Sequence, residues 1–249
     1  MGVYCTGDTH RIFSRFEAAE FPDRKDMGRG DYMIICGDFG GVWDGEPGDT
    51  ETLDWLEALP FTTLFVCGNH ENFDELYRYP VEEWQGGRVH RIRPHVLHLM
   101  RGQVFTLAGH SFFTMGGARS VDVRDGILDP DDPDFAWNYC LLRLRRGMFR
   151  VKHLSWWEQE LPSTEEYGEA LRNLERVNHE VDYIITHCAP DSVLDEMGCE
   201  PCLYDGLTYF LERVKNETRF RRWLFGHYHG ERMVGERFQL LYEGIIQLI

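Results

Sequence analysis

Five short stretches of this 249-residue chain set ligand-type or proton-transferring side chains directly after an apolar run. They are Tyr4-Cys5-Thr6-Gly7-Asp8-Thr9-His10, Ile34-Ile35-Cys36-Gly37-Asp38, Val66-Cys67-Gly68-Asn69-His70-Glu71, Tyr183-Ile184-Ile185-Thr186-His187 and Leu224-Phe225-Gly226-His227-Tyr228-His229. Asp, Asn and His supply the oxygen and nitrogen donors that suit Mn, Fe, Zn and related ions. One Asp-x-His or His-x-His is ordinary loop polarity, whereas five such strand ends in one chain point to a shared metal centre. On an extended backbone, side chains two residues apart point the same way. Asp8 with His10, and His227 with His229, are therefore read as pairs facing one place. Gly7, Gly37, Gly68 and Gly226 let the chain turn or approach an ion without a Cβ.

The elements that must position these residues follow from the apolar pattern. Val3 to Thr6, Tyr32 to Cys36 and Thr62 to Val66 read as strands. Between them lie a helix around Ser14 to Ala19, stopped before Pro22, and a second over Asp49 to Leu59, where Leu53, Leu56 and Leu59 stand at helical spacing before Pro60. This alternation predicts a mostly parallel sheet with helices on its faces, and ligands gather at the carboxyl ends of such strands. From Arg88 to Met115 the turn signals predict an antiparallel meander of Val96 to Met100, Val104 to Leu107 and Ser111 to Met115. Asp122 to Asp134, rich in Asp, Pro and Gly, reads as a loop. Ser155 with Glu158 and Ser163 with Glu166 have capping-box spacing, the second opening a helix that carries Leu171, Leu174 and Val177. Tyr183 to Thr186 is a buried strand, Cys188 to Asp205 a long loop and Leu207 to Val214 a helix. Trp223 to Phe225, Arg237 to Tyr242 and Ile245 to Ile249 are strands. No repeat or linker divides the chain, so residues 1–249 read as a single domain.

Composition excludes several classes of function. A net charge of -16 and a pI near 5.1 argue against general nucleic-acid or anionic-membrane binding, since those surfaces repel an acidic protein. No stretch approaches the roughly 18 consecutive apolar residues of a membrane span, and the N-terminus lacks a basic, then apolar, leader. The cysteines number seven, an odd count, and Cys5, Cys36 and Cys67 lie within apolar runs. Together these features predict a reduced, cytoplasmic protein.

The five stretches, in this order and spanning almost the whole chain, resemble the motifs of the calcineurin-like metallophosphoesterase superfamily. Gly68-Asn69-His70-Glu71 and Gly226-His227-Tyr228-His229 are the most specific of them. The resemblance implies an α/β fold, a four-layer α/β/β/α sandwich of two mixed sheets flanked by helices. It implies two divalent or trivalent metal ions, Mn, Fe or Zn, one held by Asp8, His10, Asp38 and His229, the other by Asp38, Asn69, His187 and His227. Asp38 bridges the two ions and His70 stays free to assist the leaving group. The implied activity is hydrolysis of a phosphomonoester or phosphodiester through a metal-bridging hydroxide, on a small phosphorylated substrate such as a nucleotide. The alternative is a catalytically silent binding or scaffold module of the same fold, and retention of every expected ligand favours the enzyme. A nuclease is disfavoured by the acidity. In one departure from the family pattern, Asp38 is followed by Phe39-Gly40-Gly41-Val42-Trp43 instead of a segment bearing Asp-Arg. Arg119, in Gly116-Gly117-Ala118-Arg119-Ser120, is the candidate replacement phosphate contact.

Other features carry less. Glu71 reads either as an orienting group for His70 or as a solvated loop carboxylate. His90, His95 and His98 lie among Arg88, Arg91 and Arg93 and read as a solvated edge strand or a local anion-binding strip. Cys199-x-x-Cys202 lacks a second pair to complete a zinc site and reads as loop thiols. Trp156 and Trp157, with Trp137 and Tyr139, read as packing aromatics or as a stacking surface for a nucleobase.

Overall fold

The computed structural model describes residues 1–200 and 203–249. The first half of the chain runs through β1 (Val3–Thr6), β2 (Tyr32–Ile35), α1 (Thr50–Glu57), β3 (Thr62–Phe65) and α2 (Phe73–Leu76). It continues through β4 (Val81–Trp84), β5 (Gly87–Arg93), β6 (Val96–Leu99), β7 (Gln103–Leu107) and β8 (His110–Met115). The second half holds β9 (Ile127–Leu128), α3 (Phe135–Arg145), β10 (Arg150–Val151), α4 (Thr164–Arg176), β11 (Tyr183–Thr186) and α5 (Asp191–Met197). α6 (Gly206–Glu217), β12 (Arg222–Phe225), β13 (Arg232–Val234), β14 (Phe238–Leu240) and β15 (Ile246–Gln247) complete it.

Two mixed sheets result, with helices on their flanks. The first has the order β15-β1-β2-β3-β6-β5-β4, in which β1, β2, β3 and β6 are parallel. The second has the order β13-β14-β12-β11-β8-β7, with β14, β12, β11 and β8 parallel. Antiparallel strands finish both sheets at their edges.

The central strands are apolar without interruption because both of their faces are covered. In β2, Tyr32 and Ile34 enter a core shared with Leu64, Phe112 and Leu224, between the sheets. Met33 and Ile35 point the other way, into a core with Leu53 and Leu56 of α1. β12 divides likewise, Leu224 facing inward while Trp223 and Phe225 pack with Leu174 of α4 and Leu211 of α6. Period-two alternation thus places one strand in two cores.

The expected meander from Val96 to Met115 does not form. β6 pairs with β3 and β5 in the first sheet, while β7 and β8 form a hairpin in the second. The chain changes sheet at Met100–Gly102, and burial of Leu97, Leu99, Phe105 and Leu107 in the same inter-sheet core drives the crossing. His90 and His98 are accordingly buried at 5% and 2% exposure, not solvated, because β4 and not β5 is the edge.

The expected helix at Ser14–Ala19 is a single 3-10 turn at Ser14–Phe16, followed by another at Pro22–Asp26, since Phe13, Phe16 and Phe21 all turn inward. Ser163 and Glu166 do form a reciprocal capping box. Ser155 and Glu158 do not, for Ser155 Oγ accepts from the Val151 amide and Trp157 precedes a 3-10 turn at Glu158–Glu160. The two segments read as loops contain β9 and α5. Cys199 is partly exposed, and Cys202 lies outside the described residues. No helix among the described residues is long and apolar enough to cross a membrane.

Candidate metal centre

Each of the five stretches leaves the carboxyl end of a parallel strand, β1, β2 and β3 from one sheet and β11 and β12 from the other; backbone hydrogen bonds join loops within each sheet, and the His227 amide on the Asp8 carboxylate joins the two sheets. The Asp38 carbonyl accepts from the Thr9 and His10 amides, and the His187 carbonyl accepts from Gly226 N–H. Arg15 braces the first loop from below, donating to the Asp8 carbonyl and to Thr6 Oγ1, each at 2.8 Å.

The side chains meet at this junction. His229 Nε2 lies 3.2 Å from Asp8 Oδ2 and 3.1 Å from His10 Nε2. His10 Nε2 is 3.7 Å from both Asp8 Oδ2 and Asp38 Oδ2. Deeper in, His187 Nε2 is 3.3 Å from Asp38 Oδ1 and 3.3 Å from Asn69 Oδ1. Its Nδ1 donates to the Cys36 carbonyl at 2.8 Å, which leaves Nε2 as the ring's free lone pair when the imidazole is neutral. The His227 ring stands against it, centroids 4.9 Å apart. His70 flanks His10 at 5.2 Å between centroids, and its backbone amide donates to Asp38 Oδ1 at 2.7 Å. Asp8, Asp38, Asn69 and His187 form a buried floor, whereas His10, His70 and His229 form a rim open to solvent.

The local backbone departs from the extended geometry expected for the paired residues. His10, Asp38, His227 and His229 have φ of 44°, 47°, 68° and 45°. Residues other than Gly seldom occupy this left-handed region, and such strain persists where the surroundings over-determine it. The pairs converge through tight turns, not through strand alternation. Two glycines have a direct steric cause: a Cβ on Gly68 would stand 2.0 Å from Asp38 Oδ1, and one on Gly226 2.1 Å from Asp8 Oδ1.

The electrostatics of the floor fit a cation. Two carboxylates are buried together at 1% exposure each, a cost that the amides of His70 and His227 offset in part and that a cation would offset further. Burial opposes ionisation of Asp38, but the charge and hydrogen bond of His187, then His70 and His10, outweigh it and hold the carboxyl well below its usual range. Burial likewise works against a charged His187, yet Asp38 and then Asp8 push it up to about 9. A proton on His187 thus does in this pair what a metal cation would do. Burial, then the charge of His187, pushes His227 down to about 3, and burial keeps His70 below its ordinary value despite Asp38. His229 is raised, chiefly by its hydrogen bond to Asp8. Two sets of donor atoms lie within 4.8 Å of one another, Asp8-His10-His229 and Asp8-Asp38-His187. The first falls within one expected ligand set; the second draws Asp8 toward His187, which the resemblance assigned to the other ion. Asn69 and His227 border these sets.

Glu71 takes neither role expected of it. It is buried, and its carboxylate accepts from the amides of Phe39, Gly40 and Gly68 at 2.8, 3.1 and 3.3 Å. Burial and the charge of Asp38 push it up to about 8 against the pull of those amides. The segment that departs from the family pattern after Asp38 therefore supplies amide donors to Glu71. Arg119 is exposed on the loop after β8, and its neighbour Ser120 accepts from Asn69 Nδ2 at 3.3 Å. Ser120, Arg15 and Arg150, whose charge helps lower His70, carry no local signal by which sequence reading would single them out. Their places depend on contacts between segments far apart in the chain.

No curated protein matches the chain closely enough to count as a relative. The model of the calcineurin-like phosphoesterase family matches residues 1–231, and with its strand-end Asp, Asn and His residues gathered at one junction, the chain belongs to that family.

Proposed function

We propose that the chain is a metal-dependent phosphoesterase in which all 249 residues form one domain and the strand-end cluster holds two metal ions. The observation that carries this reading is the meeting of two buried carboxylates, Asn69 and the imidazoles of His10, His187 and His229, with donor atoms 3.1 to 3.7 Å apart and the His227 ring beside them. Asp8, His10, Asp38 and His229 would hold one ion and Asp38, Asn69, His187 and His227 the other, with the Asp38 carboxylate shared. Ions in this position, Mn, Fe or Zn by the donor types, supply Lewis acidity to a phosphoryl oxygen and lower the pKa of bound water toward about 7.

The chain's own residues do the rest. The rim of His10, His70 and His229 leaves one side accessible to a small phosphorylated substrate, a nucleotide among the candidates. His70 assists the departing oxygen from its place at the rim. Its backbone amide is fixed on Asp38, so the side chain is positioned by the same contact that orients the carboxylate. Because burial keeps the ring largely neutral at neutral pH, it acts by donating an N–H to developing charge. Arg119 is the candidate phosphate contact from the loop after β8.

The test is hydrolysis of para-nitrophenyl phosphate and bis-para-nitrophenyl phosphate by protein loaded with Mn, Fe or Zn, with the bound metal quantified. Turnover of either ester, reduced by about 10² or more in His70→Ala, supports the reading. Two bound metals with no turnover of either ester would favour the scaffold alternative.

A further inference from the structure

Residues 135–150 carry four arginines and no acidic residue, in a chain where Asp and Glu outnumber Lys and Arg by 42 to 26. Three of the four, Arg143, Arg145 and Arg146, lie at the end of α3, and their guanidiniums have no hydrogen bond or ion pair among the described residues. Cations at a helix C-terminus suit its dipole. That accounts for their presence but not for where two of them lead.

Arg143 and Arg146 border a cavity of about 570 Å³ that none of the proposed metal ligands reaches. Tyr139, Arg143 and Arg146 stand at i, i+4 and i+7, so the end of α3 turns all three toward it. Phe149, Val151 and Ser155 form the facing wall. The volume falls within the range of about 300–1,000 Å³ usual for small-molecule sites.

The polar groups around this cavity are donors. Both guanidiniums are exposed, and Tyr139 and Ser155 are partly so. The Tyr139 hydroxyl has no partner among the described residues. Ser155 Oγ accepts from the Val151 amide at 2.9 Å, which leaves its own proton free. No Asp or Glu lines the cavity. The Asp125 carboxylate, close to Gly147, is taken by the Met148 amide at 2.7 Å.

Two unpaired guanidinium forks and two hydroxyl donors, with no carboxylate to compete, match the charge and the several oxygens of a tetrahedral dianion. We propose that this cavity is an anion site for phosphate, free or as a group on a larger molecule, held by Arg143 and Arg146 with Tyr139 and Ser155 donating. The segment that carries it is anchored beside the metal centre. In β10, Phe149 and Val151 face the cavity while Arg150 between them grips the Asp122 carboxylate at 2.6 to 3.0 Å. Asp122 is two residues from Ser120, which accepts from Asn69.

Inorganic phosphate is the probe, titrated at low ionic strength into metal-free Asp38→Asn protein and followed by calorimetry and by the arginine Nε–H NMR signals. This arm needs neither bound metal nor turnover, so failure of this site and failure of the phosphoesterase reading are distinguishable. Saturable binding at millimolar concentration should shift the Arg143 and Arg146 signals. Loss of one charged donor should weaken it about tenfold or more in Arg143→Gln and in Arg146→Gln. Arg145→Gln, which removes the same charge from outside the cavity, should change it less than about threefold. All three side chains are exposed and unpaired, so their replacement removes no contact of the fold. A second arm, which does rest on the phosphoesterase reading, compares fructose 1,6-bisphosphate with fructose 6-phosphate on metal-loaded protein. Tighter binding of the bisphosphate, lost in Arg146→Gln, assigns the site to a second phosphate of the substrate; equal binding of the two assigns it to the free ion. No saturable phosphate binding, or an equal loss in Arg145→Gln and Arg146→Gln, would overturn the proposal.

Discussion

Asn69 donates its side-chain amide to Ser120 Oγ at 3.3 Å, and this one contact decides which end of the amide faces the junction of the two sheets. With Nδ2 engaged, Oδ1 is left toward His187, the orientation a metal ligand requires. Ser120 in turn donates to Glu160 at 2.7 Å, so its single proton is used and it can only accept from Asn69. Ser120→Ala should free the amide to rotate. Metal affinity measured by competition with a chelator should fall about 10- to 100-fold, as for other groups that orient a ligand. Unchanged affinity would show that Asn69 is held in place by other means.

The proposed ligand set also makes metal binding a stability measurement. Ions that bind only the folded state stabilise it by about 2.7 kcal/mol at a hundredfold excess over Kd. Thermal unfolding of chelator-treated protein should therefore shift upward on adding Mn or Zn. Asp38→Asn, which removes the shared carboxylate, should lose most of that shift. An equal shift in the variant would place the bound metal elsewhere.

Glu71 clamps the loops after β2 and β3 to each other, so its removal should be felt in folding. Glu71→Ala orphans three buried amides and should lower unfolding free energy by about 3 kcal/mol or more, at about 1 kcal/mol or more for each. Glu71→Gln keeps one acceptor oxygen but sets an NH2 against an amide donor, and should fall between the two. Urea denaturation of the metal-free proteins provides the comparison. A loss below about 0.5 kcal/mol in Glu71→Ala would show that water replaces the carboxylate.

These contacts separate what could be read from the chain and what could not. β2, β3, β11 and β12 were legible because strands buried on both faces are continuously apolar and stop at a turn residue. The α4 start was legible because Ser163 and Glu166 are close in sequence. The five strand ends also carried their own local mark, an apolar run, a tight turn and a ligand side chain. The left-handed φ of His10 and His229 was not legible, for it is imposed by loops meeting across the sheet junction. Nor was the change of sheet at Arg101, where strands of similar composition separate according to which partner buries them. α3 gave no apolar stripe to find, since none of its residues is buried. Glu71 looked like an exposed loop acid because its three amide partners, from Phe39, Gly40 and Gly68, assemble only in the fold.

The buried His90–His98 pair supplies a pH dependence whose sign can be worked out. Burial, then the charge of Arg88, lowers His90 from its ordinary 6.5 to about 4, while Glu166 opposes this weakly. Between those values the unfolded chain binds a proton that the folded state refuses, so stability falls as pH falls through the window. Above it the contribution is fully present; below it the loss is complete. His98 acts in the same direction, being pushed well below its ordinary value by burial and by the charges of His90 and Arg101. Going from about pH 7 to about pH 4.5, His90→Gln should lose less stability than the parent chain, by on the order of 2 kcal/mol. Urea midpoints of the two proteins along that series measure the difference directly. Parallel curves would mean that the His90 ring takes up its proton in the fold as readily as in the unfolded chain.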